Sequence, residues 1–325
     1  MPENLAAIMS GGGAKGAFQV GVLDELITNR NVRFDIFSGV STGAIQALGG
    51  AMNDMPGLLD QWLSIKGNSD IYRKRPLGAV GAVFGADSLY DASKLKRRLI
   101  DYADPERLKR SRRKLRVGTV SLATGKYVEI DEKNPDIGQW VYASSAQPPF
   151  FQPLKTRDTG GVTEQWVDGG VRNVTPLRSA LHLKPRALLV ILASPPAPER
   201  VPGKTYDNLI EIGLRSVGIQ GNEVATNDVG NAMLINDLLA AREAQCRRLM
   251  GLGLTAAQIG EALAPLDLQL SRYSFAPIRI IAPEPGFDAP ETLEFKPTKI
   301  RAAIDAGRQA VDDQWDSLKL FLGSD

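Results

Sequence analysis

Short apolar runs alternate with segments of helical spacing along the first part of the chain. The run at 5–9 ("LAAIM") predicts a buried strand, and a glycine-rich loop follows it. After the loop, Phe18, Val22 and Leu26 recur at helical intervals and predict a helix. A second run at 34–40 ("FDIFSGV") predicts another strand, and the apolar positions at 44–52 continue as a helix.

The same alternation returns later in the chain. Segment 115–131 ("LRVGTVSLATGKYVEID") predicts two strands around an Ala-Thr-Gly turn, and 186–194 and 278–284 predict further buried strands. Strands that alternate with helices indicate an α/β fold. We therefore expect a three-layer arrangement, with a mostly parallel central sheet and helices on both faces.

A buried strand as late as Ile278 favours one domain over a separate C-terminal domain. We therefore expect residues 1–325 to form a single domain with three parts along the chain. These are core motifs within 5–195, a helical insertion at about 205–272, and a closing strand with a C-terminal helix at about 278–322.

Composition adds few constraints. Hydrophobic residues make up 43% of the 325 residues, charged residues 23%, and the net charge is +2, as in ordinary globular proteins. The lone cysteine, Cys246, excludes an internal disulfide framework and is interpreted as a packing residue. The N-terminus resembles no secretory signal, and the polar content of 36–53 argues against a membrane span there. We expect a cytoplasmic protein that has no transmembrane helix. Peripheral contact with a membrane is compatible with this expectation.

Two segments are candidates for such contact. Segment 94–116 holds 11 Lys or Arg and 3 Asp or Glu, so its net charge is +8. A solvated helix pair is the favoured interpretation, and a face for anionic lipid is the alternative. Nucleic acid is not expected, because Tyr102 is the only interleaved aromatic residue. The uncharged segment 76–86 is either a buried connection or a lid that faces lipid.

The glycine loop allows three interpretations. Gly11, Gly13 and Gly16 satisfy G-x-G-x-x-G, and Asp35 lies where a dinucleotide fold places its ribose-binding acid. A phosphate-binding P-loop fits poorly, because Lys15 precedes the last glycine and no Ser or Thr follows it. The third interpretation is an oxyanion hole, in which successive backbone N–H groups and a helix N-terminus hold a small anion. The loop alone does not choose among them.

A second motif favours the oxyanion hole. Gly39, Ser41 and Gly43 form G-x-S-x-G between a predicted strand and a predicted helix. That motif needs this setting, because its serine sits on a tight strand-to-helix turn with an exposed hydroxyl. Ser41 is therefore the candidate nucleophile.

A serine nucleophile requires a base, and two residues qualify. His182 is the only histidine, but it lies at the end of an apparent helix, where a structural role is the simpler interpretation. Asp168 precedes two glycines in "QWVDGGVRNVTP" and follows a short strand. Burial beside Trp166 and Val167 would raise its pKa towards a useful value, although an Asp-Gly turn without chemistry is common.

Four segments in order together resemble the patatin-like phospholipase family. They are "GGGAKGAFQVGVL", "GVSTGAI", "ASSAQPPFFQP" (143–153) and "VDGGVRNVTP", and the similarity extends over about 5–195. The tail from "IRIIAPE" to "IRAAIDAGRQA" is also similar to bacterial members. Each motif alone is weak or moderate, whereas the combination is specific.

The resemblance implies an α/β fold and a Ser-Asp dyad, with Ser41 as nucleophile and Asp168 as base. It assigns the oxyanion hole to Gly11, Gly12 and Gly13, with motif support from four further glycines and a lysine: Lys15, Gly16, Gly39, Gly43 and Gly169. The family usually has Arg where Lys15 stands, which leaves any anion contact of that side chain open. Neither a metal nor a cofactor is expected.

The implied activity is hydrolysis of acyl esters in phospholipids, lysophospholipids or neutral lipids through an acyl-enzyme. The alternatives are a lipid acyltransferase with the same dyad, a dinucleotide-binding enzyme and a non-catalytic lipid-binding protein. Lipid or phospholipid is the expected partner in all but the dinucleotide hypothesis.

Overall fold

A computed structural model describes residues 4–75, 86–158, 160–196 and 205–323. In chain order the strands of these residues are β1 (Leu5–Met9), β2 (Ile36–Val40), β3 (Arg73–Lys74), β4 (Tyr90–Asp91), β5 (Lys114–Ser121), β6 (Tyr127–Asp131), β7 (Leu154–Arg157), β8 (Thr163–Asp168), β9 (Ala187–Ile191) and β10 (Ile278–Ile281). Eight of them form one mixed sheet in the order β10-β9-β1-β2-β5-β8-β7, with β6 paired to β5, and the short strands β3 and β4 pair separately.

The described α-helices lie between and after these strands. They are α1 (Ala17–Asp24), α2 (Thr42–Ala51), α3 (Met55–Leu63), α4 (Ser93–Tyr102), α5 (Pro105–Ser111), α6 (Ile137–Ser145), α7 (Leu177–Leu181), α8 (Leu209–Gly251), α9 (Ala256–Leu270), α10 (Pro297–Asp312) and α11 (Trp315–Leu322). None of these helices combines the length and the apolar content that a membrane span requires.

Helices cover both faces of the sheet. In β1, alternate side chains enter opposite cores, because successive residues of a strand point to opposite faces. Leu5 and Met9 join the larger core with residues of α1, α2, α6 and α10. Ala6 and Ile8 join a smaller core with residues of α7 and α8. β1, β2, β5, β9 and β10 pair in parallel, so the predicted three-layer α/β fold is confirmed.

Strands β2 and β8 meet end to end along one edge of β5. β2 runs parallel to β5 and ends with Val40 opposite Gly118. β8 runs antiparallel to β5 and ends with Asp168 opposite Thr119, the next residue of β5. Strand β6 occupies the other edge. The residues that follow β2 and end β8 therefore meet at one point of the sheet, although they are far apart in sequence.

The long helix α8 spans the smaller core and then extends beyond it. Val229 and Ala232 are buried in that core, and the side chain of Asn236 bonds both the carbonyl oxygen (2.7 Å) and the N–H (3.2 Å) of Ala276. The chain returns through α9 to β10, which pairs with β9. The predicted helical insertion at 205–272 thus contains α8 and α9. The assignment of 1–325 to a single domain stays a prediction.

The basic segment 94–116 largely serves the fold. Arg107 donates to the carbonyls of Met52 (3.1 Å) and Asn53 (3.0 Å), and Arg113 donates to that of Gly50 (2.6 Å), at the end of α2. Such contacts add side-chain donors to carbonyls at and just after a helix C-terminus, where partners within the helix end. Because α2 starts at the carboxyl end of β2, its C-terminus lies near the amino ends of the parallel strands. The alternative, a face for anionic lipid, stays a prediction. Of the candidate lid at 76–86, residues 76–85 lie outside the described residues.

Candidate active site

Ser41 occupies a strained turn between β2 and α2. Its backbone angles are φ 57° and ψ −131°, a conformation that side-chain-bearing residues seldom adopt. The two flanking glycines allow close packing. A Cβ on Gly39 would lie 2.1 Å from the Gly43 carbonyl oxygen, and one on Gly43 would lie 2.4 Å from that of Met9. The predicted nucleophile is half-buried at the carboxyl end of its strand.

Three consecutive residues at the C-terminal end of α6, Ser144, Ser145 and Ala146, bind Ser41 and Asp168. The Ser41 N–H donates to Oγ of Ser144 (3.0 Å), and the Ser145 hydroxyl donates to the Ser41 carbonyl (3.1 Å). The N–H of Asp168 donates to the Ala146 carbonyl (3.1 Å). Segment 144–146 therefore fixes the backbone of both predicted dyad residues from one side.

Asp168 is fully buried beside Ser41. Its Oδ1 accepts the N–H of Gly170 (2.7 Å), whereas Oδ2 completes no hydrogen bond with any described residue. Burial raises the pKa of Asp168 to about 7, and the Gly170 N–H and the Ser41 hydroxyl lower it by smaller amounts. The hydroxyl thus approaches the carboxylate without a fully formed bond, as is common in a site without substrate.

The glycine loop lies against Ser41. A Cβ built on Gly11 would be 3.2 Å from Ser41 Cβ. The Gly11 N–H already donates to the Val174 carbonyl (3.0 Å), so Gly11 has no N–H to offer a ligand. The N–H groups of Gly12 and Gly13 make no hydrogen bond with the residues that the structure describes. Gly13 has φ +59°, and a Cβ there would lie 2.1 Å from the Thr292 carbonyl oxygen.

The family model of the patatin-like phospholipases matches residues 7–181, more than half of the chain. The chain belongs to the patatin-like phospholipase family. This membership supports a general lipid hydrolase activity, and it agrees with the sheet and helices described above. The four motif segments 11–23, 39–45, 143–153 and 167–176 all fall within the matched residues.

Other comparisons are remote. None of the curated proteins matches the chain. Among solved structures the chain is similar to VipD from Legionella pneumophila, with 16% identity and a TM-score of 0.45 over 97% of this chain and 67% of that one. No conclusion about this chain rests on that likeness.

A buried amide network fixes the glycine loop of this patatin-like protein. The side-chain amide of Gln19 donates to the carbonyls of Ser10 (2.9 Å) and Ile191 (2.8 Å). Gln46 donates to the Gln19 side-chain oxygen (3.1 Å) and so joins α2 to α1. Gly16 lies at this contact, because a Cβ there would be 2.4 Å from Thr42 Oγ1. The motif glycine allows the two helices to approach.

The remaining motif positions have structural contacts. Lys15 donates to the Ser194 hydroxyl (3.3 Å), after the end of β9. A Cβ on Gly169 would lie 2.5 Å from the Gly118 carbonyl oxygen, so this glycine permits the turn after Asp168 to lie on β5. Among the described residues, no three His, Cys, Asp or Glu side chains are grouped as metal ligands would be.

Two alternatives from the sequence do not fit the geometry. Asp35 precedes β2 and donates its N–H to the Leu5 carbonyl (3.0 Å) at the start of β1. It therefore lies at the amino ends of the strands, whereas the glycine loop follows the carboxyl end of β1. His182 is exposed between α7 and β9, next to the Leu183 carbonyl that accepts from Asn4 (3.1 Å). Five-residue strands separate their amino and carboxyl ends by roughly 16 Å. Asp35 is therefore too far from the glycine loop to bind a ribose there, and His182 is too far from the Ser41 hydroxyl to act as its base.

Sequence reasoning missed several residues around the site. Ser144 and Ser145 belong to segment 143–153 and end α6, and two adjacent hydroxyls at the end of an apolar helix could have suggested a polar contact. Gln19 and Gln46 are glutamines on apolar helix faces, which is a recognisable signal for a buried network. Asp228 on α8 carries no such signal.

Cys246 lies half-buried on α8, far along the chain from these residues.

Proposed function

We propose that this protein is a lipid acyl hydrolase of the phospholipase A or lysophospholipase type, with Ser41 and Asp168 as its catalytic dyad. One observation carries the proposal. A strained serine lies beside a fully buried carboxylate. Among the described residues, the Oδ2 of this carboxylate has no hydrogen-bond partner, and neither do the N–H groups of Gly12 and Gly13 in the adjacent loop. These are the nucleophile, base and oxyanion donors that acyl transfer requires.

In acylation, Ser41 Oγ attacks the ester carbonyl carbon while its proton passes to Asp168 Oδ2. The carbonyl oxygen becomes an oxyanion, and the Gly12 and Gly13 N–H groups and the N-terminus of α2 stabilise it. When the tetrahedral intermediate collapses, the C–O bond to the alcohol breaks and Asp168 returns the proton to the leaving oxygen. Each oxyanion donor is worth roughly 3–4 kcal/mol in such sites.

In deacylation, water attacks the acyl-enzyme and gives its proton to Asp168. The bond to Ser41 Oγ then breaks, the fatty acid leaves, and the proton returns to Oγ. An ordinary aspartate, with a pKa near 3.9, is a poor base at neutral pH. A value of about 7 for Asp168 makes a base without histidine reasonable.

The decisive experiment compares wild type with Ser41→Ala on a mixed lipid extract, with product analysis by mass spectrometry. We expect wild type to release fatty acids and Ser41→Ala to lose turnover by about 10⁴-fold or more. Ser271→Ala is the matched control, because Ser271 is exposed at the end of α9 and its hydroxyl donates to the Leu268 carbonyl. Ester turnover that survives Ser41→Ala contradicts the proposal.

The same experiment addresses the acyltransferase alternative. An added alcohol acceptor intercepts the acyl-enzyme if water is not the preferred acceptor, so new esters would replace free fatty acids. A non-catalytic lipid-binding protein would leave the extract unchanged, and a fluorophosphonate probe would fail to label Ser41.

A further inference from the structure

The long helix α8 carries a carboxylate that binds the loop after Asp168. Oδ2 of Asp228 accepts the N–H of Val174 (3.2 Å) and the N–H of Thr175 (3.1 Å). These two amides lie in a non-helical segment between Asp168 and α7, so they have no partners in regular secondary structure. A carboxylate that accepts two adjacent N–H groups fixes a peptide more firmly than neutral acceptors do.

The peptide that Asp228 binds also holds the glycine loop. The carbonyl of Val174 accepts the Gly11 N–H (3.0 Å), and Gly11 lies against Ser41. The Val174 side chain fills the space between three glycines, since its methyl groups lie 3.7–4.0 Å from where Cβ atoms on Gly11, Gly170 and Gly221 would be. One residue therefore links the long helix, the base turn and the glycine loop.

The partial burial of the Asp228 carboxylate lowers the stability of the folded protein. Burial raises the pKa of Asp228 to about 6, against the lowering influence of the Thr175 and Val174 N–H groups. Charged groups in such surroundings reduce stability and are common where a protein needs them for another purpose. Asp228 also lies outside residues 7–181, to which the family match extends.

We propose that Asp228 is a positioning residue, which holds the Val174–Thr175 peptide and through the Val174 carbonyl keeps Gly11 beside Ser41. The consequence for catalysis rests on the proposed function, because it treats the glycine loop as the oxyanion site. Without Asp228, the loop loses its anchor on the side of α8, and Gly12 and Gly13 no longer keep a fixed distance from Ser41.

The test uses the full chain with Asp228→Ala and Asp228→Asn, a soluble p-nitrophenyl ester and peptide-resolved hydrogen exchange. We expect Asp228→Ala to lower kcat by about 10- to 100-fold with KM within about 2-fold, the scale of a small misplacement in an active site. Amide exchange should quicken about 10-fold in peptides covering 10–14 and 172–176, and remain unchanged in β9. Asp228→Asn keeps an acceptor oxygen and should restore most of kcat.

Asp237→Ala is the matched control, because Asp237 is an exposed aspartate on the same helix. Its kcat and exchange should equal those of wild type. Unchanged exchange at 10–14 in Asp228→Ala overturns the positioning role, as does a kcat equal to wild type. If wild-type protein hydrolyses no ester, the proposed function fails, and the exchange pattern alone still decides whether Asp228 holds the loop.

Discussion

Ser41, the residue that the proposed mechanism makes reactive, has a strained backbone. At φ 57° and ψ −131°, the Cβ of Ser41 is crowded by its own backbone. Segment 144–146 and the flanking glycines hold this conformation in place. The backbone strain and the buried carboxylate both cost stability, and both lie at one point of the sheet.

The strain at Ser41 can be measured without any assay of activity. We expect Ser41→Gly to exceed Ser41→Ala in free energy of unfolding by about 1 kcal/mol, because glycine adopts this conformation freely. Urea unfolding of both variants gives the difference. At Ser271, where φ is −54° and ψ is −27°, the order should reverse. A Gly variant at position 41 that is no more stable than the Ala variant contradicts the argument.

In the proposed mechanism, the pKa of Asp168 sets the dependence of the rate on pH. The proposed mechanism needs its base form, so kcat/KM on an uncharged ester should rise with pH to a plateau, with an apparent pKa near 7. The same raised pKa means that folding favours the protonated carboxyl, so its contribution to stability falls as pH rises from about 4 to 7. Asp228 titrates lower, at about 6. The step near 7 should therefore persist in Asp228→Asn, and a flat profile from pH 5 to 9 would exclude Asp168 as the base.

At the scale of elements, some charged side chains join helix ends. Arg107 bonds the carbonyls after α2 and also pairs with Asp54 (3.1 Å), which caps the N-terminus of α3. One guanidinium thus connects two consecutive helices at their junction. Its planar set of donors suits several acceptors at once.

Arg107→Ala should lower the free energy of unfolding by about 1–2 kcal/mol, since it leaves carbonyls and a carboxylate without their donor. Arg97 lies in the same basic segment and is exposed, so Arg97→Ala should be within about 0.5 kcal/mol of wild type. Chemical denaturation of both variants provides the comparison. Equal losses at the two positions would favour a general charge effect over helix capping.

At the scale of the whole molecule, the sequence was most informative where the signal is local. Predicted strands at 5–9, 34–40 and 115–131 correspond to β1, β2 and the β5–β6 pair, and those at 186–194 and 278–284 correspond to β9 and β10. An apolar run bounded by turn residues is sufficient for such a prediction. The alternation of strand and helix likewise predicted the layers, and the two core clusters confirm them.

Local patterns could not supply the contacts between distant segments. The sequence around Asp35 and His182 does not reveal that both residues lie at the amino ends of the parallel strands, away from Ser41, because that depends on strand direction and order. The meeting of Ser41 with Asp168 depends on the register of two strands on β5. Asp228 sits in a polar stretch of helix, where an aspartate is unremarkable until the fold brings Val174 to it.

The junction of β2 and β8 on β5 determines which insertions and deletions preserve the contact between Ser41 and Asp168. A loop between elements can lengthen without altering which residues of β5 lie opposite Val40 and Asp168. A deletion of one residue inside β8 would instead place the carboxylate on the other face of the sheet, and a slip of two would carry it about 7 Å along the strand. The distance between Ser41 and Asp168 therefore changes only in steps of whole residues along β5, and substitutions of side chains cannot restore a register that has shifted.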